Sequence, residues 1–109
     1  MMKKKYFLNA NIIDPLNSID EVGGLIISEN GLIEAAGKKV NKNNIPSREK
    51  YTDLKGKHLI PGIVDMRVFV GEPGFEYKEN FRTLSQAALA GGVTSIVTMP
   101  NTKPIIDNV

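Results

Sequence analysis

The 109-residue sequence contains no cysteine, no tryptophan and only one histidine, His58. Without cysteine there are no disulfides and no thiolate metal sites, a usage that suits a reducing compartment. Long apolar runs are also missing. The basic start Lys3-Lys4-Lys5 leads into Tyr6-Phe7-Leu8, but Asn9 and Asn11 interrupt at once. That apolar stretch is too short for a secretory signal, and no run approaches the roughly 18 apolar residues of a membrane span. The expected location is therefore cytoplasmic, with no membrane partner. Excess charge of one sign is lacking as well: 14 Lys and Arg against 12 Asp and Glu leave +2. No strong field points to nucleic acid, and the lysine run reads as a solvated terminus. What remains is the composition of an ordinary soluble globular chain, 41% hydrophobic and 24% charged, with ten glycines and six prolines.

The first half alternates short strand-like runs with turn signals. Tyr6 to Ile13 reads as a strand ended by Asp14-Pro15. Leu25–Glu29 and Leu32–Ala36 flank Asn30-Gly31, the residues a type I′ hairpin turn favours because both central positions need positive φ. Lys38 to Lys50 is polar and reads as a surface loop. Tyr51–Leu54 is a further short strand, turned by Lys55-Gly56-Lys57. From His58 the character changes. Ile63 to Val70 is β-branched and nearly continuous in apolar residues, as expected of a strand buried on both faces of a parallel sheet. Tyr77 to Ala90 has helical spacing, with Phe81, Leu84 and Ala88 on one side. Gly91-Gly92 ends the helix, and Val93 to Met99 is a second buried strand closed by Pro100. This strand–helix–strand unit implies an α/β fold with further parallel neighbours. There is no internal repeat and no low-complexity segment.

Three stretches, in order, resemble dihydroorotases of the amidohydrolase superfamily. They are Leu59-Ile60-Pro61-Gly62-Ile63-Val64-Asp65-Met66, then Glu72-Pro73-Gly74-Phe75-Glu76-Tyr77-Lys78-Glu79. The third is Ala90-Gly91-Gly92-Val93-Thr94 with Met99-Pro100-Asn101-Thr102-Lys103-Pro104. The resemblance implies the start of a metal-dependent (β/α)8 barrel, incomplete in this chain, preceded by part of a small β-sandwich. The domains it implies are 1–58 for the sandwich portion and 59–109 for the first β-α-β unit. Active sites of such barrels lie at the carboxyl ends of the strands, where 70–74 and 100–104 would fall. The implied chemistry is hydrolysis of a cyclic amide in pyrimidine biosynthesis, with zinc as cofactor.

At one point the sequence departs from that pattern. Active relatives end the first strand Asp-x-His-x-His-x-Arg. Two histidines one residue apart share a face of the strand and can bind one divalent metal, which activates water. Here the segment reads Asp65-Met66-Arg67-Val68-Phe69-Val70-Gly71. Arg67 and Phe69 occupy the two histidine positions, and Gly71 occupies that of the arginine that would pair with a substrate carboxylate. A guanidinium has no lone pair to give a metal and repels one; phenylalanine has no donor at all. The expectation is no catalytic residue and no bound metal in this chain.

The other candidates carry weaker signals. Asn101 matches a substrate-contacting asparagine of the family, or else it caps the turn after the second barrel strand. Arg67 itself would hold an anionic ligand in the old site mouth. Asp65 is expected to satisfy backbone donors. Glu72 and Glu79 resemble a carboxylate pair but read as loop and helix-start residues, Glu79 near the positive end of the helix dipole. His58, without partners, reads as structural or surface. Two parallel strands and one helix cannot close a barrel, so the chain is expected to be a fragment or to self-associate. The leading expectation is an inactive dihydroorotase-like pseudoenzyme, resembling the silent chains that scaffold aspartate carbamoyltransferase. The alternatives are an active cyclic amide hydrolase whose remaining ligands lie beyond residue 109, and a metal-free anion-binding module.

Overall fold

The structure, a computed structural model, describes residues 3–108. It is a small mixed α/β chain that divides into two compact units, Met1–Pro61 and Gly62–Val109.

The first unit is one sheet ordered β3-β2-β1-β4, with β5 also paired to β1. Its strands are β1 (Lys5–Asp14), β2 (Ile19–Ile27), β3 (Ile33–Gly37), β4 (Tyr51–Asp53) and β5 (His58–Leu59). Alternation along β1 places Tyr6, Leu8, Ala10 and Ile12 on the buried face, the period of two that a half-covered strand requires. Burying a side chain such as Leu8 stabilises by about 1.5–3 kcal/mol. The cover comes partly from the 38–50 segment: Val40 and Ile45 join the cluster with Tyr6 and Leu8. That segment is irregular, as its asparagines and Pro46 suggest, but it is not merely a surface loop, because two apolar residues anchor it.

Two turns differ from their sequence reading in an instructive way. At Asn30-Gly31 only Gly31 has positive φ, 82°. Its N–H donates to the Ser28 carbonyl at 3.0 Å, and Ser28 N–H donates to the Leu32 carbonyl at 2.8 Å. The connection is thus a three-residue loop closed by a left-handed glycine, with a register shift at Ile26/Ile27, and not a two-residue type I′ turn. The double positive φ appears instead at Lys55 (51°) and Gly56 (76°), where Lys57 N–H closes onto the Leu54 carbonyl at 2.9 Å. This turn lets β4 and β5 run one after the other along β1. Asn9, itself at φ 58°, bridges them: its carbonyl accepts from Gly56 N–H at 2.7 Å and its amide donates to Asp53 Oδ1 at 2.9 Å.

The second unit is a parallel pair, β6 (Ile63–Val68) and β7 (Val93–Thr98), joined through helix α1 (Phe81–Ala90). The helix starts four residues later than its spacing suggests, because Asn80 caps it. The Asn80 side chain accepts from Thr83 N–H at 3.0 Å while Thr83 Oγ1 accepts from Asn80 N–H at 3.3 Å, a capping box. Gly91 ends the helix with its N–H on the Ala87 and Ala88 carbonyls, and Gly92 at φ 81° takes the left-handed position. Leu84 and Ala88 are half-buried, yet no helix residue is fully so. The strands expected to be covered on both faces are largely exposed in this chain: Val64 is 54% and Met66 68% accessible. One short helix covers too little of a two-stranded sheet to bury them.

Candidate functional site

Two loops meet at the carboxyl ends of β6 and β7. The first, residues 69–80, contains Val70, which is fully buried, and Gly71 at φ 77°, whose carbonyl accepts from Phe75 N–H at 2.6 Å. The second, residues 99–104, folds on Thr102. This buried threonine donates its hydroxyl to the Pro104 carbonyl at 2.7 Å and its N–H to the Pro100 carbonyl at 2.8 Å. Lys103 N–H joins the loops by donating to the Pro73 carbonyl at 2.9 Å. Gly74, at φ 100°, lies so near Lys103 that an added Cβ would overlap its carbonyl oxygen.

Two of the three acidic residues of the first loop serve the helix. Glu72 Oε2 accepts from Phe81 N–H at 3.0 Å, and Glu79 Oε1 accepts from Asn80 N–H at 3.3 Å and from the Thr83 hydroxyl. Carboxylates there satisfy donors that a helix start leaves open and complement its dipole. A third carboxylate, Glu76, accepts from Gly74 N–H at 2.9 Å, and that hydrogen bond holds its carboxyl below the usual range.

Arg67 is exposed near the end of β6, with no ion pair among the described residues. Its backbone N–H donates to Asp65 Oδ1 at 3.0 Å, so Asp65 does satisfy a backbone donor, although at an exposed position. Phe69 follows just beyond the strand and is 39% accessible. Its ring is tilted 54° against Phe75, with centroids 6.0 Å apart. Lys78 Nζ stands 5.5 Å from the Phe75 centroid and 5.6 Å from that of Tyr77, within cation–π range. Asn101 is exposed, and its side chain makes no hydrogen bond among the described residues; Thr102, not Asn101, holds the turn. The hydrogen bonds do not join Arg67 to Asn101. His58 belongs to the other unit, exposed on β5.

The aromatic and lysine cluster and the role of Thr102 escaped sequence reasoning. The signal for the first was present in the spacing of Phe69, Phe75, Tyr77 and Lys78; for Thr102 there was none, since its burial depends on how the loop closes.

A family described as Dihydro-orotase-like matches residues 56–108. The dihydroorotase of Chlorobaculum tepidum is 44% identical over 102 residues, covering 94% of this chain and 23% of the relative. That of Pelobacter propionicus is 46% identical over 100 residues, covering 92% and 23%. Its counterpart in the Wolbachia of Brugia malayi is 42% identical over 107 residues, covering 97% and 24%. The chain is dihydroorotase-like. It spans about a quarter of the length of these relatives and corresponds to their amino-terminal portion. The likeness runs through the first unit as well as the second, since the matched lengths nearly equal the chain.

Zinc is the metal this resemblance implies. The residues that the resemblance sets at its two ligand positions do not fit it: Arg67 presents a permanent cation without a lone pair and Phe69 presents a hydrocarbon ring.

Proposed function

We propose that this dihydroorotase-like chain belongs to a catalytically silent protein of pyrimidine biosynthesis, located in the cytoplasm, that acts by binding partners. The observation that carries the reading is the pair Arg67 and Phe69 in place of two imidazoles. Activating water for attack on a cyclic amide needs a general base or a Lewis acid beside the substrate. A guanidinium that is always protonated is neither, and the carboxylates Glu72 and Glu79 are engaged with helix amides.

The partner expected from the resemblance is aspartate carbamoyltransferase, for which the chain would serve as scaffold. The exposed apolar residues of β6 and β7, Val64, Met66 and Val97 among them, support a second mode, self-association. The barrel reading requires that those same strands be covered by further parallel neighbours. Retention of the transcarbamoylase on immobilised chain at micromolar concentration is the expected result. If nothing is retained while sedimentation shows a folded chain, the scaffold role is wrong. Cyclisation of carbamoyl aspartate by the protein would overturn catalytic silence.

A specific observation favours one further reading. Arg67 is exposed, unpaired among the described residues and at the strand end where a barrel would bind its ligand. In this reading it holds the carboxylate of dihydroorotate or a similar acid, aided by Asn101. A thermal shift with dihydroorotate that disappears in Arg67→Gln supports it; no shift in the parent chain removes it.

A further inference from the structure

The positive charge of the chain is unevenly placed. The first unit carries ten Lys and Arg against seven Asp and Glu, whereas the second carries four against five. The topology then gathers part of that surplus at one end of the sheet. β1 and β4 are parallel, with Tyr6 opposite Tyr51, so the segments that precede both strands emerge side by side. One is Lys3-Lys4 and the other Arg48-Glu49-Lys50. An antiparallel pairing would have sent them to opposite ends.

Between them lies a cleft of about 600 Å³ lined by Lys3, Lys4, Tyr6, Glu29, Arg48, Glu49 and Lys50. That volume is typical of a small-molecule site. The four cations are not equivalent. Lys4 is committed to Glu34, with Nζ 2.7 Å from Oε2. Lys3, Arg48 and Lys50 make no ion pair among the described residues, although Glu29 and Glu49 line the same cleft. Lys3, Arg48 and Lys50, brought together from two segments over forty residues apart, outnumber the two carboxylates that line the cleft with them, so the local potential stays positive and an anion would lower it. The floor includes Tyr6, whose ring is fixed in the core, so one wall of the cleft is rigid.

We propose that this cleft binds a small anion bearing a chain of phosphates, held by Lys3, Arg48 and Lys50. Arginine supplies bidentate geometry for phosphate oxygens, and the two lysines supply mobile point charges that span successive phosphates. The ligand source is either free polyphosphate or a nucleotide, which share this chemistry.

The test is calorimetric titration of the full chain with inorganic triphosphate, at low salt and again at high salt. Saturable binding tighter than about 1 mM is expected, weakening as salt screens the charges. Arg48→Gln/Lys50→Gln should weaken it by about tenfold or more. Lys38→Gln/Lys39→Gln removes the same charge from a loop outside the cleft and should leave affinity nearly unchanged. Circular dichroism checks that both variants stay folded. A nucleoside triphosphate that binds like triphosphate assigns recognition to the phosphates alone; tighter binding assigns the nucleotide as source. The proposal is overturned if the parent shows no saturable binding or if both variants lose affinity equally. It is also overturned if RNA or anionic vesicles displace triphosphate through these residues at far lower concentration.

Discussion

Replacing Gly74 by alanine should separate the two loops that meet beyond β6 and β7. Gly74 has φ 100°, where a side chain carries strain of about 1–2 kcal/mol. The new Cβ would also overlap the Lys103 carbonyl oxygen and approach the Lys103 Cβ to 2.8 Å. Relief requires the loops to part, which breaks the 2.9 Å hydrogen bond from Lys103 N–H to the Pro73 carbonyl, worth about 1 kcal/mol. The expected loss is thus about 2–3 kcal/mol. Gly92 is the internal control. It belongs to the same unit, has φ 81°, and an added Cβ there meets nothing within 4 Å. Gly92→Ala should lose only the backbone term, about 1–2 kcal/mol. Native-state hydrogen exchange of the Lys103 amide, with denaturant unfolding of both variants, measures the difference. Equal losses, with Lys103 protection retained in Gly74→Ala, would refute the close loop packing.

Other outcomes follow from the same geometry. Leu8→Ala empties a position that is 2% accessible at the centre of the first unit and should lose about 2–5 kcal/mol by urea unfolding. Asn80→Ala removes the acceptor for Thr83 N–H and should lose about 1 kcal/mol, read as reduced helix protection at residues 81–84. Asp53 has its carboxyl held below the ordinary aspartate range, first by the Asn9 amide and then by Lys55 N–H. Its contribution is therefore present above the ordinary aspartate pKa and fades as pH falls through the depressed folded value. In Asn9→Gly, which keeps the positive φ accessible, an NMR titration of Asp53 should move upward; an unchanged midpoint contradicts the assigned cause.

The strands whose residues alternate or cluster cleanly were legible. Tyr6 to Ile13 falls within β1, and the second unit has its strand, helix and strand in the expected order, with both strands ending slightly early and the helix starting four residues late at Phe81. The start of β2 was not legible, because Ile19-Asp20-Glu21-Val22-Gly23-Gly24 mixes acids and glycines. Those glycines are explained only by tertiary contact: a Cβ on Gly24 would lie 2.8 Å from the Val40 side chain, and one on Gly23 would lie 2.6 Å from Lys38 N. The Asn30-Gly31 turn was misread because loop length, set by the pairing around it, outweighs dipeptide preference. At the site, Arg67 and Phe69, which the resemblance sets at metal-ligand positions, are read from the sequence alone. The pairing of Glu72 with the helix start and the closure of the second loop on Thr102 are not, since both depend on how distant segments meet.

The central claim is that this strand has lost its capacity to bind metal through Arg67 and Phe69. It is tested most directly by elemental analysis of zinc in the chain and in Arg67→His/Phe69→His, both purified in metal-replete buffer. The account predicts no stoichiometric zinc in the parent and a gain in the double variant, where two imidazoles are restored. Zinc near one per chain in the parent would contradict it.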